Sequence, residues 1–186
     1  MNAFDILKET TDINHPRYLH LNGCYELAKE LLEGLDISLP VKEKMLNTVL
    51  LHDIGYSSSV KVTGCHYVDG YNYLLDNHSD VCFEKVVCLH GDFVNITPIH
   101  HKDFVEGLYD SLSDLEFATL ILVDYCDTHI NGVGEEVTIE DRWNDLISRH
   151  NSNDERTMSD ILNTKEYAYH TEKVINYILN ILPKLA

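Results

Sequence analysis

Basic residues are scarce in this chain of 186 residues, which has 14 lysines and arginines against 31 aspartates and glutamates. The formal net charge is therefore −17 when histidine is counted as neutral. Because a nucleic-acid interface needs a basic face that neutralises phosphates, this balance argues against nucleic acid as a partner. It argues equally against binding to an anionic membrane. Small anionic molecules stay compatible with the charge, because a bound metal ion can invert the local potential of a site.

Long apolar runs and paired cysteines are also missing. The longest apolar run, at 120–123 with its neighbours, is far too short to cross a bilayer. The five cysteines include no CxxC pair, so neither a disulfide framework nor a cysteine zinc site is indicated. The first residues lack the basic start and the apolar stretch of a signal peptide. We therefore expect a cytoplasmic protein with reduced thiols.

The length and the apolar content are typical of one globular domain. With 44% hydrophobic and 24% charged residues, the chain is close to the globular average, which predicts a single domain over 1–186. Apolar residues recur at spacings of three and four almost throughout, whereas strand-like alternation is scarce. The sequence thus predicts an all-α bundle with its main part at about 15–150 and a last helix at about 158–182 packed on it.

Local signals predict several helix boundaries. Pro16 opens a helix whose buried stripe includes Leu19 and His20. The segment 113–116, Ser-Asp-Leu-Glu, fits a capping box and predicts the start of an apolar central helix that contains Asp124. We predict further helices at about 66–75, 79–90 and 103–110, a loop at 57–64 and a polar linker at 150–156.

Ionisable side chains occupy positions that this helical pattern buries. Asp124 lies in a helix that is apolar nearly all round, and burial of an ionised carboxylate is costly unless it is paired or binds a metal. His52 and Asp53 end a helix whose preceding residues are apolar, and His20 lies on the inner stripe of an earlier helix. Three helices thus direct imidazole and carboxylate groups inward, and such a mixed set suits a divalent first-row metal.

These residues, in this order, resemble the motifs of the HD superfamily of metal-dependent phosphohydrolases. The matching segments are Arg-Tyr-Leu-His at 17–20, Leu-Leu-His-Asp-Ile-Gly at 50–55 and Leu-Val-Asp at 122–124. Three further segments, at 63–74, 86–90 and 138–143, are similar to elements that carry additional histidines or follow the aspartate helix in that family. In combination these motifs are specific, although His-Asp by itself would mean little.

The resemblance implies an HD-domain-like helical bundle with one or two divalent metal ions per chain, of which Mn, Mg and Fe are the expected kinds. The implied metal ligands are His20, His52, Asp53, His66, His90 and Asp124. Asp53 would bridge two positions, with His66 and His90 completing the second. Asp53 and Arg17 are the implied catalytic residues, because Asp53 would orient the attacking water and Arg17 would hold phosphate.

The activity that the resemblance implies is hydrolysis, by a metal-activated water, of a phosphate monoester, a nucleotide or a phosphodiester. The expected partner is a small phosphorylated substrate such as a nucleotide, and no nucleic acid or membrane. Two alternatives stay open: an HD-type di-iron oxygenase, and a metal-containing ligand-binding or regulatory module without turnover. The oligomeric state is also open, with a homodimer as one option.

Two positions depart from the family pattern. Tyr56 stands where many HD hydrolases have a lysine after His-Asp-Ile-Gly, and Tyr67 replaces the usual proline after the third histidine. The missing lysine removes a phosphate-binding charge, which Arg17 or Lys61 can supply instead.

Two further acids have alternative interpretations. Asp69 is either an acid on the helix surface, the interpretation we favour, or a side chain that orients His66. Asp127 shares the helix face of Asp124, but we expect it to be exposed to solvent near the end of that helix.

Overall fold

A computed structural model describes residues 2–91, 101–149 and 155–186 of the chain. Within these ranges nine α-helices and one short 3-10 helix occur, and no β-strand is formed. The prediction of an all-α fold is therefore confirmed. Among the same residues, none of the helices combines the length and the hydrophobicity that crossing a bilayer requires.

The helices follow one another with short connections. They are α1 (Ala3–Thr10), α2 (Pro16–Leu31), α3 (Leu39–Leu51), the 3-10 helix (Ile54–Tyr56), α4 (His66–His78), α5 (Glu84–Leu89), α6 (Lys102–Asp110), α7 (Asp114–His129), α8 (Ile139–Arg149) and α9 (Glu155–Leu185). The prediction of a long last helix is confirmed by α9, which packs along α7. Most of the polar linker expected at 150–156 lies outside the described residues.

Two predicted helix starts are confirmed by their capping interactions. At the start of α2, the His15 ring accepts a hydrogen bond from the Arg17 amide at 3.0 Å, and Pro16 occupies the first helical position. At the start of α7, Ser113 and Glu116 form the expected capping box. These contacts satisfy amide groups that have no partner inside their own helix.

Two expectations about helices were wrong, and one helix lies where none had been assigned. That helix is α1, which forms because an Asn2–Asp5 capping box starts it and its apolar face is buried. The helix expected at 79–90 begins only at Glu84, since the residue before it is extended and bonded to a side chain of α3. Leu19, expected on the buried stripe, is 38% exposed, whereas His20 and its neighbour Leu21 are buried.

The core lies around α7. This helix is buried along 118–124, as its apolar sequence predicts, and it contacts α2, α3, α5, α8 and α9. A second group of buried side chains fills the space between α1, α3 and α4. The C-terminal ends of α3 and α5 meet α2 and α7 in this interior, and all four elements bring ionisable side chains there.

Gly55 is required where the 3-10 helix meets α4. A Cβ atom at this position would lie 2.7 Å from the Gly70 amide nitrogen and would overlap the carbonyl oxygen of His66. Because both neighbours are backbone atoms, they cannot rotate away. We expect Gly55→Ala to lower the free energy of unfolding by about 3 kcal/mol, as measured by chemical denaturation.

The control for this substitution is Gly107→Ala. Gly107 lies inside α6, and among the described residues no atom outside this stretch of the helix lies within 4 Å of the position that a Cβ atom would take there. Alanine at this position should therefore be neutral or stabilising by up to about 1 kcal/mol. A Gly55→Ala protein as stable as Gly107→Ala would show that the close approach to α4 is not essential.

Candidate metal centre

Four imidazole rings from four different elements converge in the interior. They are His20 in α2, His52 at the end of α3, His66 at the start of α4 and His90 at the end of α5. Neighbouring rings in this row have centroids 4.9 to 5.7 Å apart. The structure therefore brings together the four histidines that the sequence analysis selected.

Three of these rings are oriented by backbone carbonyl groups. His52 Nδ1 and His90 Nδ1 each donate to the carbonyl three residues earlier, at 2.7 and 2.8 Å. His20 Nδ1 lies 3.2 Å from the carbonyl oxygen of Asn131. In each case Nε2 is left facing the carboxylates, which is how metal-binding histidines are usually oriented.

Asp53 lies at the centre of the row of rings. Its Oδ1 is 3.1 Å from His90 Nε2 and 3.5 Å from His66 Nε2. Its Oδ2 accepts a hydrogen bond from Arg17 Nη1 and is 3.8 Å from His52 Nε2. Since the two oxygens face different histidines, this carboxylate is positioned to bridge two ions.

One imidazole nitrogen is both buried and unsatisfied. The His52 side chain is 0% exposed, and its Nε2 has no hydrogen-bond partner among the described residues. This nitrogen lies 3.8 Å from Asp53 Oδ2 and 3.8 Å from Asp127 Oδ1. Leaving such an atom unpaired costs about 1–3 kcal/mol, and a cation between it and the carboxylates would remove that cost.

The aspartate that α7 presents to these histidines is Asp127 and not Asp124. Asp127 Oδ1 is 2.9 Å from His20 Nε2, in addition to its 3.8 Å separation from His52 Nε2. The Asp124 carboxylate instead accepts from the Gly91 amide at 2.7 Å and from the Tyr167 hydroxyl at 2.5 Å. In this structure the Asp124 oxygens are held by other partners, and Asp127 is the aspartate of α7 whose carboxylate contacts His20 and His52.

Asp127 was assigned to solvent by the sequence analysis, and this expectation was wrong. Its side chain is only 26% exposed, and Arg142 Nη2 from α8 lies 3.6 Å from its Oδ1. Arg142 was not selected from the sequence at all. The shared helix face of Asp124 and Asp127 was the available signal, but it could not tell which helical turn lies opposite α2.

Arg17, Tyr56 and His66 form a stack at the outer side of Asp53. The Arg17 guanidinium carbon lies 4.2 Å from the centre of the Tyr56 ring, and that ring stacks on His66 with centroids 3.9 Å apart. Tyr56 thus contacts both the guanidinium of Arg17 and the imidazole of His66.

Asp69 is buried, so the interpretation as a surface acid was wrong. Its carboxylate accepts hydrogen bonds from the Thr63 amide and hydroxyl, both at 2.8 Å, and from the Gly64 amide at 3.0 Å. These bonds fix the turn that leads into α4. Asp69 thus determines where His66 begins this helix, without contacting the imidazole ring in any described bond.

The charges around the site favour the ionised forms of Asp53 and Asp127. Burial would raise the pKa of Asp53, but Arg17 and His52 hold this pKa well below its ordinary value. Burial would likewise raise the pKa of Asp127, but His20 and His52 hold it well below the usual range. For Asp124 the effect of burial is larger than that of the hydrogen bonds from Tyr167 and Gly91, and burial raises its pKa to about 7.

The same burial keeps one imidazole available as a ligand. Burial lowers the pKa of His66 to about 3, even though the Asp53 charge acts in the opposite direction. A neutral imidazole is the form that binds metal, so His66 meets this requirement over the physiological pH range.

Comparisons with known proteins give no relative for this chain. No protein-family model, no curated protein and no solved structure matches it. The resemblance of the sequence motifs to the HD superfamily therefore stays an expectation from the sequence.

The donor set fits a divalent ion. Two groups of side chains, His20 with Cys24 and His52, and His52 with Asp53 and His90, place one donor atom each within 4.8 Å of one another. Imidazole and carboxylate donors match Mn, Fe and Zn better than Ca. The unsatisfied His52 Nε2 between two carboxylates is the observation that shows the fit most directly.

Proposed function

We propose that the protein is a divalent-metal-dependent phosphohydrolase that acts on a small phosphorylated substrate. The observation that carries this proposal is the buried His52 Nε2, which has no hydrogen-bond partner among the described residues and lies 3.8 Å from both Asp53 Oδ2 and Asp127 Oδ1. Three further imidazoles approach the same two carboxylates. A divalent ion between these groups would satisfy the imidazole nitrogens that face the carboxylates.

Two ion positions are supported by the geometry. The first would use His20, His52, Asp127 and Asp53, and the second would use Asp53, His66 and His90. A bound divalent ion supplies Lewis acidity at such a site and activates water near neutral pH. The histidines keep their Nε2 atoms directed at both positions because backbone carbonyls hold their opposite nitrogens.

Arg17 supports a phosphorylated substrate. Its guanidinium lies beside Asp53, and 30% of its side chain is exposed, so it can meet a phosphate that enters the site from solvent. A planar guanidinium matches phosphate oxygens in a bidentate way.

The contacts of Tyr56 favour recognition of the substrate's phosphate group over recognition of a nucleobase. The tyrosine is 50% exposed at the mouth of the site, where an aromatic ring would ordinarily suit nucleobase stacking. The Arg17 guanidinium lies over this ring at 4.2 Å, and the His66 ring stacks on it with centroids 3.9 Å apart. We therefore infer that this ring positions the arginine and leaves a base, where the substrate has one, to other contacts.

The test starts from metal-free protein. Mn²⁺, Mg²⁺ or Fe²⁺ is restored under anaerobic conditions, and phosphate release is measured with a panel of phosphomonoesters, nucleotides and phosphodiesters. We expect turnover only after metal is restored. Binding at 100 times the dissociation constant should also stabilise the fold by about 2.7 kcal/mol, which raises Tm by roughly 5–10 °C.

Several results would contradict the proposal. Oxygen consumption by the iron-loaded protein would favour the oxygenase. A large rise in Tm with one phosphorylated compound, without any turnover of the panel, would favour a regulatory module. Failure of every metal to bind would contradict the proposed hydrolase and both alternatives, because all three contain a metal centre.

Arg17→Ala is expected to raise KM for a phosphorylated substrate roughly 10- to 100-fold, because a charged hydrogen bond contributes about 1.5–3 kcal/mol. Arg17→Lys should recover only part of this loss, since lysine keeps the charge but not the planar fork. Steady-state kinetics measures both. The exposed Lys61 provides the control, and Lys61→Ala should leave KM unchanged. A large effect of Lys61→Ala with none of Arg17→Ala would move the phosphate site to the 57–64 loop.

A further inference from the structure

Cys24 lies on the same face of α2 as His20, one helical turn later. Its side chain is fully buried, and its Sγ is 3.7 Å from His20 Nε2. The donor atoms of Cys24, His20 and His52 all lie within 4.8 Å of one another. A thiol therefore borders the space between the two imidazoles that the proposed ion would occupy.

An independent observation shows that this space suits a ligand. His52 Nε2 is completely buried, has no hydrogen-bond partner among the described residues and is aimed at the same region. Asp127 Oδ1 closes another side, at 2.9 Å from His20 Nε2 and 3.8 Å from His52 Nε2. The thiol of Cys24 thus shares a donor group with His20 and His52, and the Asp127 carboxylate contacts both of these imidazoles.

The separations that involve His20 and His52 are compatible with a shared metal ion. Bond lengths of about 2.0–2.1 Å to nitrogen or oxygen and about 2.3 Å to sulfur place two ligand atoms of one zinc ion about 3.3–3.5 Å apart. The N···S separation between His20 and Cys24 is 3.7 Å, and the separations of Asp127 Oδ1 from His20 Nε2 and His52 Nε2 are 2.9 and 3.8 Å.

We propose that Cys24 is a thiolate ligand of the ion held by His20, His52 and Asp127, and that it makes this position selective for Zn²⁺. The inference rests on the metal centre of the proposed function. On binding, the thiol proton leaves to solvent as the metal–sulfur bond forms. Thiolate favours Zn²⁺ over Mn²⁺ and Mg²⁺, whereas the second position, with Asp53, His66 and His90, has only nitrogen and oxygen donors.

The other cysteines provide matched controls. Cys82 is also fully buried, but it lies in the group of side chains between α1, α3 and α4 and belongs to neither donor group. Cys82→Ala therefore removes a buried thiol without touching the proposed ligands, while Cys24→Ala and Cys24→Ser remove the ligand itself.

The test uses Co²⁺ added to the metal-free full-length protein. The wild type and Cys82→Ala should both show a near-ultraviolet thiolate-to-cobalt charge-transfer band. Cys24→Ala and Cys24→Ser should lose this band and keep only the visible bands of nitrogen and oxygen ligands. Competition with a chelator should show that Zn²⁺ affinity is at least about tenfold weaker in both Cys24 variants. Loss of a residue that only hydrogen-bonds to a ligand already lowers metal affinity about tenfold. Mn²⁺ binding should change little.

A measurement on the unaltered protein decides the matter where the Cys24 variants fail to fold. X-ray absorption of the zinc-loaded wild type should contain a sulfur scatterer at about 2.3 Å. Cobalt or zinc bound without a sulfur signal would overturn the role of Cys24 and leave the proposed function standing. A protein that binds neither ion would overturn both.

Discussion

Asp53→Asn is expected to remove tightly bound metal and hydrolytic activity together. Asp53 is the carboxylate that approaches His66, His90 and His52, and it also accepts from Arg17. An amide cannot supply the anionic charge that both proposed ion positions share. We expect metal affinity to fall about 100-fold or more and turnover to fall with it. Loss of a residue that only hydrogen-bonds to a ligand already lowers metal affinity about 10- to 100-fold.

Metal content by elemental analysis and phosphate release by a coupled assay measure the two effects. Circular dichroism reports whether the variant is folded, which we expect because asparagine keeps the shape of the buried side chain. Asp76→Asn provides a matched control, since this aspartate is exposed on α4. An Asp53→Asn protein that retains full metal content would contradict the centre as described.

Asp127→Asn and Asp124→Asn should differ sharply, although the two residues lie one turn apart on the same helix. Asp127 faces His20 and His52, so its amide variant should lose metal affinity about 100-fold or more. The oxygens of Asp124 are held by the Gly91 amide and the Tyr167 hydroxyl. Asp124→Asn should therefore bind metal with nearly unchanged affinity. Titration calorimetry with one metal measures both variants.

The expected cost of Asp124→Asn is in stability. Asparagine can still accept from Gly91, and its amide can still pair with Tyr167, so we expect a loss of only about 1 kcal/mol in the free energy of unfolding. Metal loss in Asp124→Asn with none in Asp127→Asn would restore the assignment made from the sequence.

The two aspartates have different tasks in the fold. Asp124 joins three elements, because it binds Gly91 after α5 and Tyr167 from α9 while it lies in α7. Gly91 directly follows His90, so this contact also fixes the end of the segment that carries a proposed ligand. From the sequence, this buried acid indicated a metal site. In the structure, Asp124 stabilises the elements next to the proposed metal centre.

The local pattern of the sequence was sufficient for much of the site. Helical periodicity places His20 on the buried face of α2, and the apolar residues before His52 predict that this imidazole and Asp53 end a helix inside the protein. The capping box at 113–116 starts the central helix where it was expected. Interactions of this kind involve residues three or four positions apart, so a single segment contains all the information they need.

Contacts between helices were decided by the tertiary structure alone. Which acid of α7 meets His20 depends on how far this helix is displaced along its neighbours, and a shift of three residues, about 4.5 Å, exchanges Asp124 for Asp127. The approach of Arg142 from α8 and the burial of Asp69 depend on packing in the same way. The sequence by itself predicted most of the helices, the burial of His20, His52 and Asp124, and the residue types that could hold a metal ion. The relative placement of the helices decided which donors share a point, because periodicity repeats every turn and does not distinguish one turn from the next.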